Sequence, residues 1–191
     1  MSGIRRHVRE EDDVRTATWG EFRGCCSWPQ RICWAVAEHD GKRSICPLGW
    51  KMNTSVSPLM MAISVAPARF THDLIANSGE VVIAWPDERL AEATLVTGTA
   101  SGRTMDKFAA CGLTPVKGER VCAPLVAEAA ANLECEVRGT LTTGDHTIFA
   151  VEIVKIWLHD TPGRPLCQVG EGSGYELLAS KGMYRMGVVR K

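Results

Sequence analysis

The sequence predicts a mainly β protein, an antiparallel barrel decorated by a few short helices. Apolar runs of about one strand's length recur along the chain and are separated by turn residues. Two pairs of runs are joined by the turn sequences "HDGKR" and "TTGD", which are typical of hairpins. Many strands in hairpins with few helices favour a closed antiparallel barrel. With no internal repeat in 191 residues, we expect one domain with an N-terminal extension (1–27) and a C-terminal tail (160–191).

The individual elements follow from apolar runs and helix caps. Prolines or polar clusters bound the runs, and each helix begins at a residue whose side-chain oxygen can accept a backbone N–H. The predicted strands cover residues 31–38, 44–50, 59–65, 80–85, 132–141 and 146–158. The predicted helices have Thr71, Asp87 and Thr104 as N-caps and end near Gly79, Val96 and Cys111.

Charge and hydropathy exclude several classes of protein. The 22 basic residues balance the 22 acidic ones, and the basic cluster at residues 5–9 is followed by four acidic residues. A duplex-binding protein would carry a basic stripe, so we expect no nucleic-acid partner. No run approaches the ~20 apolar residues of a membrane span, so we expect a cytoplasmic protein with no membrane contact.

The eight cysteines are expected to be thiols, because a reducing compartment keeps disulfides rare. They lack the Cys-x-x-Cys spacing of a metal site, and the five histidines lack His-x-x-x-His spacing, so we expect no metal. The adjacent pair Cys25 and Cys26 leaves open a redox role near a cofactor. No serine lies in a Gly-x-Ser-x-Gly elbow, and "GEGSG" near the C-terminus has no helix and strand after it for a dinucleotide fold.

Two segments could bind a phosphate group. Arg69 and Thr71 stand at the start of one predicted helix, where free N–H groups and the helix dipole favour an anion. "SGRTMDKF" repeats the combination with Ser101, Arg103 and Lys107. Taken alone, each segment is equally typical of an ordinary helix cap with hydrated basic side chains.

Taken together and in order, four segments resemble the flavin reductase-like family of FMN-binding split barrels. The resemblance covers about residues 28–159. The segments that carry it are "GWKMNTSVSPLMMAISVAPARFTHDLIANSGEVVIAWP", "GTASGRTMDKFAACGLTPV", "APLVAEAAANLECEV" and "GDHTIFAVEIV".

The resemblance implies a split antiparallel β-barrel that forms a homodimer, with one non-covalent FMN per subunit near the dimer interface. The "MNTS" segment would line the isoalloxazine ring, and its polar groups would stabilise charge on the reduced flavin. The implied ring-side residues are Met52, Asn53, Thr54 and Ser55, in a connection after the second strand.

The resemblance also assigns the phosphate side and the open face of the flavin. Arg69 and Thr71 match one phosphate-side segment, and Ser101, Arg103 and Lys107 match a second. His146 matches a histidine near the open face, where it would position the nicotinamide or the substrate. A half-exposed strand residue is the alternative for His146.

The implied function is hydride transfer from NAD(P)H to flavin, with electrons passed to free flavin, a ferric complex or a redox partner protein. A non-enzymatic electron carrier of the flavoredoxin type, with tightly bound FMN, is the alternative. A flavin-free barrel that binds another phosphate-bearing ligand is a third reading.

Overall fold

The computed structural model describes residues 15–171 and 174–190. The basic cluster at residues 5–9 and the acidic residues that follow it lie outside this part of the chain. No helix in the described ranges has the length and apolar character needed to cross a bilayer.

The helices are short and the strands dominate. The α-helices are α1 (Trp19–Cys26), α2 (Phe70–Ser78), α3 (Ala91–Thr99) and α4 (Lys107–Cys111), and a 3-10 turn (Glu88–Leu90) precedes α3. The strands are β1 (Gln30–Arg31), β2 (Cys33–His39), β3 (Lys42–Leu48), β4 (Lys51–Val56), β5 (Leu59–Val65), β6 (Glu80–Trp85), β7 (Pro115–Val116), β8 (Leu125–Val126), β9 (Ala131–Thr143), β10 (His146–Leu158), β11 (Cys167–Gln168), β12 (Tyr175–Lys181) and β13 (Tyr184–Val189).

Seven of the strands form the predicted barrel. Their order is β3-β2-β6-β9-β10-β5-β4, and each pair of neighbours is antiparallel. The consecutive strands β3 and β4 stand at the two ends of this order, joined by Gly49 and Trp50. The barrel is therefore split between β3 and β4, and the predicted fold class is confirmed.

The barrel is covered on one side by an outer layer. Its interior holds apolar side chains such as Ile63, Ile83 and Phe149, which are at most 1% exposed. A second apolar cluster lies outside β2, β3 and β6, where Trp34 and Phe108 meet α3, α4 and the C-terminal strands. Strand β2 is buried on both faces for this reason, which explains its unbroken apolar run.

The prediction of a C-terminal tail at 160–191 is wrong. Strands β11, β12 and β13 form a second antiparallel sheet with β1, in the order β1-β11-β13-β12. Ala179, Met186 and Val188 of this sheet are buried. Glycine and proline separate short strands here, so the local pattern predicted a loop.

Two predicted helix caps are also wrong. Helix α2 begins two residues earlier than predicted, with Arg69 as N-cap, so Thr71 is its second residue and is buried. Asp106, not Thr104, caps α4, and its carboxylate accepts the N–H groups of Phe108 and Ala109. Asp87 caps the 3-10 turn as predicted, accepting the N–H of Arg89 at 3.0 Å.

The predicted second strand (44–50) ends two residues earlier than expected, and a strand that was not predicted follows it. Strand β3 ends at Leu48, and β4 begins at Lys51 and pairs with β5 in a hairpin. The triplet Asn53, Thr54 and Ser55 lies within β4, at a bulge between Asn53 and Ser55, instead of in a connection. The polar run is explained by an edge strand with an exposed face.

Candidate functional site

A cleft made of adjoining cavities follows the split in the barrel. Its first part, the cationic pocket, has a volume of about 150 Å³ and lies between β3, α2 and the loop after α3. Two cavities of about 90 and 270 Å³ share Cys46 and Arg69 with it. The larger of these shares Gly49 and Trp50 with a cavity of about 350 Å³ on β4, β5 and β10, the apolar pocket.

Lys107 is the central charge of the cationic pocket. It is the first residue of α4 and only 5% exposed. Its Nζ donates to the carbonyls of Ile45 and Thr97 at 2.6 Å, which leaves one N–H available. Burial lowers the pKa of this ammonium, and the neighbouring Arg69 lowers it further. Within the described part of the chain, no carboxylate lies at ion-pair distance from Lys107.

Ser44 is a second buried polar group in the cationic pocket, and it was not predicted from the sequence. It is 1% exposed and lines the cationic pocket from β3. Its Oγ has no hydrogen-bond partner among residues 15–171 and 174–190. A buried hydroxyl without a partner is costly, which indicates a missing polar ligand. The only signal in the sequence is a serine within an apolar strand.

The N-terminus of α2 supplies further donors to the same pocket. Arg69 and the buried Thr71 both line it, together with Ser101 on the opposite loop. The first N–H groups of a helix have no partners inside the helix, so they are available to an anion. The structure therefore brings together four of the predicted phosphate-side residues: Arg69, Thr71, Ser101 and Lys107.

At Gly102 the backbone of the loop after α3 passes close to Ser44 and Phe70 and closes the cationic pocket. A Cβ atom at this position would lie 2.8 Å from the Cβ of Ser44 and 3.0 Å from the ring of Phe70. Only glycine lets the loop pass this close to β3 and α2.

The predicted phosphate-side residue Arg103 has a different position. Its guanidinium donates to Asp73 Oδ2 at 2.6 Å and to the carbonyl of Ala68 at 3.2 Å, and it stacks on Phe70. Arg103 thus connects the loop after α3 to α2. Arg103 lies beside the cationic pocket and is not among its lining residues.

The other end of the cleft is aromatic and open. Trp50 and His146 have ring centroids 4.8 Å apart and line the same 270 Å³ cavity. The Nδ1 of His146 lies 2.7 Å from Asp145 Oδ1, and this contact lowers the pKa of the Asp145 carboxyl. Met52 and Ile148 continue the wall into the apolar pocket.

The "MNTS" segment is only partly at the cleft. Met52 lines the apolar pocket. Asn53, Thr54 and Ser55 lie further along β4, and the Oγ of Ser55 accepts the N–H of Ser57 at the turn into β5. None of these three side chains lines the apolar pocket or the other three cavities described above.

The C-terminal sheet forms an unpredicted wall of the cleft. Gln30, Gln168 and Tyr184 line the 270 Å³ cavity together with Trp50 and His146, and Arg23 of α1 also lines it. Gly49 permits this arrangement, because a side chain there would collide with the carboxamide of Gln30.

The thiols divide by exposure. Cys25 and Cys26 are exposed at the end of α1, whereas burial raises the pKa of Cys33 and Cys135 to about 12. No group of three or more potential metal ligands occurs within the described ranges.

A sequence model of the flavin reductase-like domain matches residues 26–184. The chain belongs to the flavin reductase-like family. An uncharacterised protein from Archaeoglobus fulgidus is 36% identical over 115 residues, which are 60% of this chain and 65% of that relative. The match thus spans slightly less than two thirds of the relative's length.

Solved structures agree with this assignment. A flavoredoxin from Methanosarcina acetivorans superimposes with a TM-score of 0.68 at 25% identity, over 77% of this chain and 88% of its own. A Shewanella frigidimarina protein with a split barrel domain gives a TM-score of 0.68 at 20% identity, over 78% of this chain and 76% of its own. The second likeness shows the fold alone.

Proposed function

We propose that this family member is a reductase that binds FMN non-covalently, takes hydride from NAD(P)H onto the flavin and passes electrons on to an acceptor. The acceptor is free flavin, a ferric complex or a redox partner protein. The observation that carries the proposal is the cleft itself, which joins a buried cationic end to an open aromatic end. A mononucleotide has the matching shape, with a dianionic phosphate at one end and a flat ring at the other.

The cationic pocket fits a phosphate. Lys107 and Arg69 would offset its charge, and Ser44 and Thr71 would donate to its oxygens. A phosphate accepts several hydrogen bonds, so it would satisfy the orphaned Ser44 hydroxyl and the free N–H of Lys107. Each hydrogen bond to a charged group contributes roughly 1.5–3 kcal/mol.

The open end fits the ring. FMN, when bound, supplies the hydride-accepting centre, and the protein supplies its position. Trp50 offers an aromatic surface, and His146 offers a hydrogen-bonding group beside it that can orient a nicotinamide or an acceptor. The eight free thiols favour a reducing compartment, so we propose that the reaction takes place in the cytoplasm.

A homodimer is part of the proposal. The side of the barrel formed by β4, β5, β9 and β10 exposes Val56, Leu59 and Leu141, whereas the opposite side is covered by the outer layer. A second copy of the chain would bury this apolar surface next to the apolar pocket. Sedimentation equilibrium should give twice the mass of one chain, and a monomer at micromolar concentration would contradict the dimer.

The alternative is an electron carrier without nicotinamide chemistry, as favoured by the likeness to a flavoredoxin. Anaerobic stopped-flow mixing separates the two. We expect NADH or NADPH to bleach the absorbance of the bound flavin near ~450 nm within seconds. Reduction by a ferredoxin-like donor, with no bleaching by either nucleotide, would establish the carrier instead.

A further inference from the structure

Two basic side chains share one indole beside the apolar pocket. The guanidinium of Arg31 lies 4.9 Å from the centroid of the Trp85 ring, and the Nζ of Lys51 lies 5.2 Å from it. Both cations stand next to the far end of the cleft from Lys107. Neither side chain lines the cationic pocket.

The positive charges of Arg31 and Lys51 are not balanced by a carboxylate at ion-pair distance within residues 15–171 and 174–190. The Nζ of Lys51 donates to the carbonyl of Arg31 at 2.5 Å, and neither side chain has a carboxylate at ion-pair distance in that part of the chain. Burial lowers the pKa of Lys51, and so does the charge of Arg31. Two neighbouring cations without a counter-charge repel each other, and an anion would offset that repulsion.

The adjoining pocket has the form of a site for a flat organic anion. Its volume is about 350 Å³, and Trp50, Met52, Ile63 and Ile148 make most of its wall apolar. The polar side chains among its lining residues are few, namely Lys51, Gln30 and Ser64. Apolar walls with a few localised polar groups are typical of small-molecule sites, in which the polar groups fix orientation.

We infer that the apolar pocket binds a flat substrate through an anionic substituent, which Lys51 and Gln30 hold and Arg31 attracts. The inference rests on the proposed function, because the pocket opens at Trp50 onto the cavity that would hold the flavin ring. It adds a substrate class: an aromatic or conjugated compound that carries a negative charge. A carboxylate on a ring and the phosphate of a nicotinamide nucleotide share this chemistry.

Benzoate and benzamide provide a matched test, because they are nearly equal in size and differ in charge. Calorimetric titration of the FMN-loaded protein should show benzoate binding at least about tenfold more tightly than benzamide. Lys51→Met should remove this preference and leave benzamide binding unchanged, and Lys51→Arg should restore most of it. Lys117→Met, at an exposed lysine outside the cleft, is the control.

A second arm identifies the source of the anion. The nucleotide's phosphate is the group recognised if two results are found. NADH should displace benzoate, and Lys51→Met should raise the KM for NADH. The KM for the uncharged donor 1-benzyl-1,4-dihydronicotinamide should not change in that variant. If benzoate binds with no competition from NADH, the anion belongs to the acceptor. Both results support the inference.

Equal affinities for benzoate and benzamide, or an unchanged preference in Lys51→Met, would overturn it. Direct titration with FMN keeps this failure distinct from failure of the proposed function. A protein that binds FMN but does not discriminate between the probes refutes the anion pocket alone. If the protein binds no FMN, the same titration is made without flavin, and discrimination between the probes there refutes the flavin proposal alone.

Discussion

The two ends of the cleft are built differently. At the cationic end, Lys107, Ser44 and Thr71 are all at most 5% exposed and come from three separate elements. At the aromatic end, Trp50 is 49% exposed and Met52 is 60% exposed. Under the proposed function, the buried end would hold a group permanently and the exposed end would admit a reactant.

The energetic consequences also differ. A buried ammonium without a carboxylate is costly, so an anion that enters the cationic pocket gains strongly from it. Exposed side chains at the aromatic end are already hydrated and contribute less affinity, but they leave a path for the reactant. Substitutions at the cationic end should therefore change flavin affinity, and substitutions at the aromatic end should change the rate of reduction.

The largest effect is expected from Lys107→Met, which keeps the length of the side chain and removes its charge. FMN affinity should fall about 100-fold, because a charge-assisted contact worth roughly 1.5–3 kcal/mol is lost. Quenching of flavin fluorescence on titration measures this. Lys117→Met should bind FMN normally, and an unaltered affinity in Lys107→Met would show that the phosphate lies elsewhere.

Ser44→Ala should have opposite effects on binding and stability. FMN affinity should fall about tenfold, since one donor to the phosphate is lost. The flavin-free protein should lose no stability, because the Ser44 Oγ has no partner in the described part of the chain. Thermal unfolding with and without FMN measures both effects. Ser180→Ala, at an exposed position of β12, is the control. A destabilised flavin-free variant with normal FMN affinity would contradict the assignment.

The pH dependence follows from the lowered pKa of Lys107. The ammonium loses its proton below the ordinary value of 10.5, so FMN affinity should fall as pH rises toward that value. Stability of the flavin-free protein should change in the opposite direction. The unfolded chain binds the proton more tightly, so unfolding becomes less favourable as pH rises between the lowered pKa and 10.5. FMN titrations from pH 7 to 10 should show the slope in the native protein, and a similar slope in Lys107→Met would assign it to another group.

At the aromatic end, His146→Gln should leave FMN affinity within about twofold and slow reduction by NAD(P)H about threefold to tenfold, the worth of one ordinary hydrogen bond. Stopped-flow bleaching and FMN titration of the same sample separate the two quantities. A large loss of FMN affinity would remove the distinction between the two ends.

The sequence predicted the barrel because its strongest signals are local. The turn at Gly144, which has a positive φ of 55°, and the long runs of β9 and β10 determine the central hairpin by themselves. Lys107 and Arg69 were predicted for a similar reason, because basic residues at helix starts form a visible local pattern.

The missed features depend on contacts between distant segments. Ser44 is covered by the loop at Gly102, which is distant in sequence, and it shares its pocket with Lys107 from α4. The wall made by Gln168 and Tyr184 requires β1 to pair with β11, and strands of two residues have no recognisable pattern. Asn53 was misplaced because a polar run fits an edge strand as well as a connection.

Arg103→Gln is expected to have the smallest effect on FMN affinity. The sequence predicted Arg103 beside the phosphate, whereas in the structure it pairs with Asp73. The guanidinium is half exposed and already paired with Asp73, and such surface pairs contribute about 0.2–1 kcal/mol. FMN affinity should change less than about threefold, through a looser loop at Ser101. Arg69→Gln, at a residue that lines the pocket, is the matched comparison and should weaken FMN more. If the two variants lose FMN equally, Arg103 leaves Asp73 when the phosphate binds, and the cationic end is less preformed than its buried residues indicate.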